Sequence, residues 1–376
     1  MANISVKNIL FVQDTAPCIR TIKIGTALSS KKLKIHIAYR DKTPNEVYGY
    51  GNDSFKTLIK LPQYSFRDKQ IIGKLIEELN IDLIHFHNEP DKLGAKLINA
   101  KYSVPVIYDQ HDFMSFKKRL SNKEKKNERV CNEQADGTVY ITKSYKKEVS
   151  KYYRLIDNSI IFGNYFPKES TLNEKDFHPK LSDTDNKCHL VYLGRISEAK
   201  TEHRNILKII KQLSNKDFVI HIYPSRDKAF KLYKKIKNVY VHNKLPYKEL
   251  IKEISKYDFG LTIFNETIAS KLPHIKYAMG NKSYDYLCAG IPIVVQNCLD
   301  EAKEFVLGNK FGFVMENFSE YKNLSKESYN NLVDHIIQNR KIFAMEYQIN
   351  RVIDFYEKTK ELFDEQKSFN NNAKKT

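Results

Sequence analysis

The chain has 376 residues, 41% of them hydrophobic, and a formal net charge of +18. The length predicts two domains, the apolar share excludes wholesale disorder, and the absence of any run of eighteen apolar residues excludes a membrane-spanning helix. The charge is spread, with 29 basic against 19 acidic side chains in residues 1–170, which argues against a nucleic-acid-binding tail and leaves phosphorylated small molecules or an anionic membrane surface as its partners.

The opening MANISVKNILFVQD reads as a first strand rather than a secretory signal. Cys18, Cys131, Cys188, Cys288 and Cys298 are scattered and never spaced CxxC. That pattern speaks against a disulfide framework or a zinc site and for a cytoplasmic chain, with the inner face of the cell membrane as a further place for it. Buried strands are predicted at 8–13, 34–39, 82–87, 105–110, 137–142 and 158–162. Helical spacing falls between them, as in Ile72, Leu75, Ile76 and Leu79. These elements make a first domain over 1–170. The polar stretch that follows reads as a linker, placed at 171–188.

Alternation restarts with strands at 189–196, 218–223, 238–243, 259–264, 291–296 and 311–316, making a second domain over 189–345. A last helix is expected over 346–365 and a disordered tail over 366–376. Strand–helix alternation on this scale predicts an α/β chain of two doubly wound, Rossmann-like domains facing across a cleft. Their ligands are expected beyond the carboxyl ends of the strands.

Two motifs carry chemistry. In LGRISEAK, Gly194 permits close backbone approach, and Arg195 and Lys200 can converge on a diphosphate. In GNKSYDYLCAGIPIVV, residues 280–295, Gly290 suits a helix C-cap, and Lys282 sits near a helix N-terminus where phosphate is favoured. Asp285, one turn further, can accept from ribose hydroxyls or serve only as a first-turn acid.

The order GRISEAK, KLPYKELIKEISKYDFGLTIF, NKSYDYLCAGIPIVV resembles the donor domain of retaining GT-B glycosyltransferases, family 4 in particular. DLIHFHN, IYDQHDF, ERVCNEQADGTVYITKSY and IIFGNYF resemble its acceptor domain, and the resemblance covers residues 7 to 365. It implies transfer of a sugar from a nucleotide diphosphate-sugar to an acceptor hydroxyl with retention, in glycan or glycolipid synthesis, without a metal or other cofactor. Gly194, Arg195, Lys200, Asn281, Lys282, Ser283 and Asp285 would hold the donor, and Tyr223 and Leu245 would lie beside its base. Tyr277 and Asp285 stand where the family commonly has glutamates. The resemblance also carries the last helix back to the first domain.

On the acceptor side, His111 is expected to orient the sugar or relay a proton, with Asp112 fixing its tautomer or its loop. His87 and Arg20 are further candidates, Asp14 and Lys23 follow the first strand, and His85 is expected in the core. Asp183-Thr184-Asp185 spells a metal signature but lies in a polar segment, and no GxGxxG follows the first strand, which argues against NAD. The run 113–129, with seven bases and two acids, could dock on anionic headgroups through Phe113, Met114, Phe116 and Leu120. Two rival readings remain: a GT-B-fold nucleotide-sugar epimerase, and a non-catalytic sugar-nucleotide or polyanion binder.

Overall fold

Short apolar runs that carry no helical stripe become strands covered on both faces, and they do so twice. The computed structural model describes residues 5–63, 66–226, 230–277 and 279–372. The first unit holds β1 Asn8–Gln13, β2 Lys34–Tyr39, β3 Thr57–Lys60, β4 Leu83–His87, β5 Val106–Gln110, β6 Gly137–Tyr140 and β7 Ser159–Ile161. All pair in parallel, in the order β3-β2-β1-β4-β5-β6-β7. The second unit holds β8 His189–Leu193, β9 Val219–Tyr223, β10 Val239–Val241, β11 Phe259–Thr262, β12 Ile293–Val295 and β13 Gly312–Val314. Its parallel order is β10-β9-β8-β11-β12-β13. Both sheets therefore reverse direction beside their first strand, at β1/β4 and β8/β11. Such reversals leave a crevice past the strand ends.

Strand alternation sorts the first sheet's side chains. Leu10, Ile84, Phe86 and Tyr108 pack with Ile72, Ile76, Leu93 and Leu97 from the helices Asp68–Glu78 and Asp91–Ala100. Phe11, His85 and His87 pack together on the alternate residues, with ring centroids 4.3–5.2 Å apart.

The first unit consists of Met1–Gly163 and Met345–Thr376, and the second of Asn164–Ala344. The helix Asn350–Asn372 packs on the first unit, where the Tyr356 hydroxyl lies 2.5 Å from His85 Nδ1 and Glu357 accepts the Val6 N–H at 2.8 Å. The expected disordered tail is corrected in part, because this helix runs on to Asn372; residues 373–376 lie outside the described residues. Once a helix has nucleated, each added residue gains a hydrogen bond.

The polar stretch expected as a linker at 171–188 is built into the second unit. The Leu172 N–H donates to the Cys288 carbonyl at 3.1 Å, and Lys180 Nζ donates to the carbonyls of Ser255 and Tyr257 at 2.9 and 2.8 Å. Among the described residues no helix is long and apolar enough to cross a membrane.

Candidate functional site

In the second unit, the helix Asn281–Cys288 is pinned across the β8/β11 reversal by Tyr286. Beyond the Gly260–Val191 pair these strands cease to pair with each other. The Tyr286 hydroxyl fills the gap, donating toward the Val191 and Leu261 carbonyls at 3.2 and 2.9 Å and accepting from the Leu193 N–H at 3.2 Å. Its ring lies so close over β11 that a Cβ on Gly260 would stand 2.3 Å from it. At the other end of the helix, buried Arg340 donates to the Leu287 and Cys288 carbonyls at 2.9 and 2.7 Å, which satisfies orphan carbonyls and sets a cation at the negative helix end. Gly290, at φ +67°, continues the chain in the left-handed conformation expected after a helix.

This clamp presents Lys282 in the first helical turn. Its ammonium lies over the Tyr192 ring at 4.1 Å and the Phe264 ring at 4.6 Å. Among the described residues it makes no ion pair. Burial, and then the nearby Arg204 guanidinium, push the amine down to about 7, against the pull of Asp285. Asp285 shares the helix face with Lys282 and accepts from the Tyr247 hydroxyl at 2.8 Å. Asn281 is exposed.

Gly194 follows β8 with φ +108°, and its N–H donates to the Tyr223 carbonyl at 3.0 Å. Open space surrounds the position of a Cβ there, so the residue's use is its backbone conformation. Arg195 projects from the next position and lies 3.9 Å from Glu202. It lines a cavity of about 440 Å³ together with Ser197, Glu198, Arg226 and Lys231. Lys200 is exposed on the same loop but does not line that cavity.

Three donor-side side chains are engaged within the second unit, and of these Ser283 is a correction. Ser283 is fully buried, and its hydroxyl meets that of Thr262 at 2.9 Å, so it ties helix to strand. Tyr223 is also buried, its hydroxyl shared between Glu253 and Tyr257 at 2.7 Å each and its ring stacked on His242 at 4.4 Å. Only its backbone remains for a base. Leu245 packs against the second unit's core.

In the first unit, polar groups collect at the ends of β4 and β5. Asp109 is wholly buried and pairs in register with His87. Arg20 Nε reaches its two carboxylate oxygens at 3.1 and 2.9 Å, while the other guanidinium nitrogens donate to the Gly163 and Phe162 carbonyls at 2.9 and 2.8 Å. Burial raises the Asp109 carboxyl, yet Arg20 and the surrounding histidines hold it well below the ordinary carboxylate range. Three imidazoles surround it: His85 at 3.5 Å, and His87 and His111 at 3.6 Å each. Burial, with His85 beside it, keeps His87 well below the usual histidine value, and neither of its ring nitrogens has a hydrogen-bond partner.

Arg20 and His87, expected toward an acceptor, are thus corrected to a buried network. His111 alone of the three imidazoles reaches toward the surface, at 13% exposure. Asp112 does not hold it. That carboxylate pairs with Lys117 at 2.7 Å, and its backbone is tied to Asn88. The group behind His111 Nδ1 is Asp109, which the sequence reading overlooked, and facing Nε2 is Cys18 Sγ at 3.9 Å. Asp14 pairs with Arg40 at 2.5 Å, and Lys23 is buried.

His85, His87 and Asp109 could offer three metal-ligand atoms within 4.8 Å of one another. A cation there would press against the Arg20 guanidinium on the same carboxylate, so the group is better satisfied as an ion-paired core. Asp183 and Asp185 are engaged structurally, with Lys326 at 2.7 Å and His189 at 3.0 Å. In the basic run, Phe113, Phe116 and Leu120 are buried in the first unit, while Lys123, Lys125, Lys126 and Arg129 are exposed. Of the four apolar residues expected for membrane docking, only Met114 is half-exposed.

Two parallel doubly wound sheets, one in each unit, give the chain a GT-B fold. Residues 21–161 match the model of Glycosyltransferase Family 4, and residues 196–354 that of the Glucosyltransferase 3-like C-terminal domain. Each model matches under half of the chain, and together they liken it to the GT-B glycosyltransferases related to family 4.

Among solved structures, a glycosyltransferase from Rickettsia africae is similar with a TM-score of 0.68 at 12% identity, covering 94% of this chain and 99% of that one. Anabaena HepE in complex with UDP and glucose is similar at 0.62 and 14%, covering 92% and 98%. Sucrose-phosphate synthase from Thermosynechococcus elongatus stands at 0.58 and 11%, covering 96% and 99%. At these identities the likeness is one of fold. A search of curated proteins returned no match.

Proposed function

We propose that the second unit binds a nucleotide diphosphate-sugar through Lys282, Arg195 and the N-terminal amides of Asn281–Cys288, and that the sugar passes to an acceptor hydroxyl oriented by His111, with retention. The observation that carries the reading is Lys282, an amine boxed by Tyr192 and Phe264 with no ion pair among the described residues, at the mouth of a helix where phosphate is favoured. Fixed cations aimed at the leaving diphosphate stabilise the charge that builds on it, and no metal is needed for that role. Asp285, with the Tyr247 hydroxyl beside it, is the group for the ribose. Support for the donor class also comes from HepE, whose fold is similar and which was solved in complex with UDP-glucose. The family 4 match supports retention.

Screening sugar nucleotides for release of free nucleoside diphosphate, with and without extracted glycan and lipid acceptors, tests the reading. Acceptor-stimulated release is expected, with the product keeping the donor's anomeric configuration by proton NMR. Interconversion of the donor sugar without an acceptor would instead establish an epimerase. Contact with anionic membranes would run through the exposed bases of the 113–129 run, among them Lys118, Arg119, Lys123, Lys125, Lys126 and Arg129. Co-sedimentation with phosphatidylglycerol vesicles should then vanish at high salt.

A further inference from the structure

Five free cysteines are present, and four of them are buried or have thiols pushed upward. Cys131 and Cys288 are buried, and burial pushes the thiols of Cys131, Cys188 and Cys298 upward. Cys18 is placed differently. It is half-buried and occupies the N-cap of the twelve-residue helix Ile19–Ser30. Its backbone N–H is fixed by the Gln13 side-chain oxygen at 3.1 Å, and the same oxygen accepts from the Thr21 hydroxyl at 2.8 Å. That hydroxyl lies 3.3 Å from Sγ. On the other side stands His111 Nε2 at 3.9 Å, with Asp109 3.6 Å behind its Nδ1. Thiol and imidazole thus face each other, with the Asp109 carboxylate behind the ring at a distance that acts by charge rather than by a hydrogen bond, an arrangement that favours the thiolate, and a helix N-terminus adds to it.

We propose that Cys18 is a selective modification site, a thiolate held by His111 and the helix N-terminus that reacts with peroxides and soft carbon electrophiles. Burial is the largest influence on the thiol and pushes it up, but the charge and hydrogen bonds of His111, and then Thr21, outweigh it and bring it to about 7. The converse holds at His111, where burial is outweighed by Cys18 and Asp109 and the imidazole is raised. The other ionisable groups facing the pair are His85 and His87, both lowered chiefly by burial, Arg20, which is paired with Asp109, and Tyr48, whose phenol burial and Cys18 push up to about 12.

With a peroxide, the sulfur attacks one oxygen and the O–O bond breaks. The sulfur loses two electrons, and the departing hydroxide takes the His111 proton to leave as water. The product is a sulfenic acid beside a neutral imidazole. If His111 serves the acceptor as proposed above, such an adduct would stop transfer. The thiol chemistry itself does not depend on that reading.

The test is time-resolved alkylation of the native protein by iodoacetamide, mapped by peptide mass spectrometry from pH 5.5 to 9. Cys18 should react more than about tenfold faster than Cys188 and Cys298 at pH 7, with a half-maximal rate near pH 7. His111→Gln should move that midpoint up by at least about one unit while the thermal melt stays native. Should His111→Gln fail to fold, Thr21→Val should move it in the same direction by less. After an equivalent of hydrogen peroxide, a dimedone adduct should appear at Cys18 alone. Labelling of Cys18 no faster than Cys298, or a profile unmoved in a folded variant, would overturn the proposal.

Discussion

Raising the pH from 7.5 to 9 should weaken binding of a nucleoside diphosphate to this protein, and the cause is Lys282. Burial and then Arg204 depress its amine to about 7 in the free protein, with Asp285 opposing. At pH 7.5 roughly a quarter of the molecules carry the charge, and at pH 9 about one in a hundred. A bound diphosphate, fully ionised across this window because its last proton leaves near pH 6, holds the ammonium protonated. Affinity therefore falls by the ratio of the two fractions, about 25-fold or roughly 1.9 kcal/mol.

Calorimetry with UDP, and with ADP and GDP beside it, measures this directly. At pH 8, runs in buffers of different ionisation enthalpy should show uptake of about 0.9 proton per ligand. Lys282→Arg, which keeps its charge throughout, should abolish both slope and uptake. The stability of the free protein moves the opposite way. A base whose folded value lies below its unfolded one leaves the unfolded chain with more protons, so Lys282's contribution to stability rises between pH 7 and the ordinary lysine value near 10.5. Affinity independent of pH in the parent, or an equal slope in Lys282→Arg, would refute the reasoning.

Asp109→Asn should cost about 3–5 kcal/mol in urea unfolding, because it strands the buried Arg20. Asp112→Asn, losing only a half-exposed pair with Lys117, should cost less than about 1 kcal/mol. Gly260→Ala forces a Cβ into the Tyr286 ring, and a loss of about 1–3 kcal/mol is expected together with weakened UDP binding, since that ring holds the helix that presents Lys282. Tyr286→Phe should cost a similar amount by leaving the Leu193 N–H without its partner. EDTA should leave the rate of nucleoside diphosphate release unchanged, and loss restored by a divalent ion would contradict charge stabilisation by Arg195 and Lys282.

Both sheets were legible because apolar runs at this spacing have few other folds. The strand that escaped was β3, the four-residue edge TLIK, whose half-exposed side chains leave little pattern. The site was legible by chain position and less so by direction. Neighbours on a helix point roughly 100° apart, so Lys282 and Ser283 cannot both face a ligand, whereas Asp285, three residues on, can share Lys282's face. Ser283 turns to Thr262 instead. Asp109 is different. It lies near the end of β5, and His111 stands just past that strand, where the chain bends and brings its ring back to 3.6 Å from the Asp109 carboxylate. Proximity in sequence suggested Asp112, and no periodicity in the sequence marks the bend that favours Asp109. Cys18 had no such signal, because its neighbour His111 lies 93 residues away.

The account stands most directly on one comparison: nucleoside diphosphate release from a panel of sugar nucleotides at pH 7, parent against Lys282→Ala, with extracted acceptors present. The account predicts release from at least one donor and a fall of at least about 100-fold in the variant, the scale of losing one preorganised charge at a leaving group. Equal release by the two proteins, or none from any donor, would contradict it.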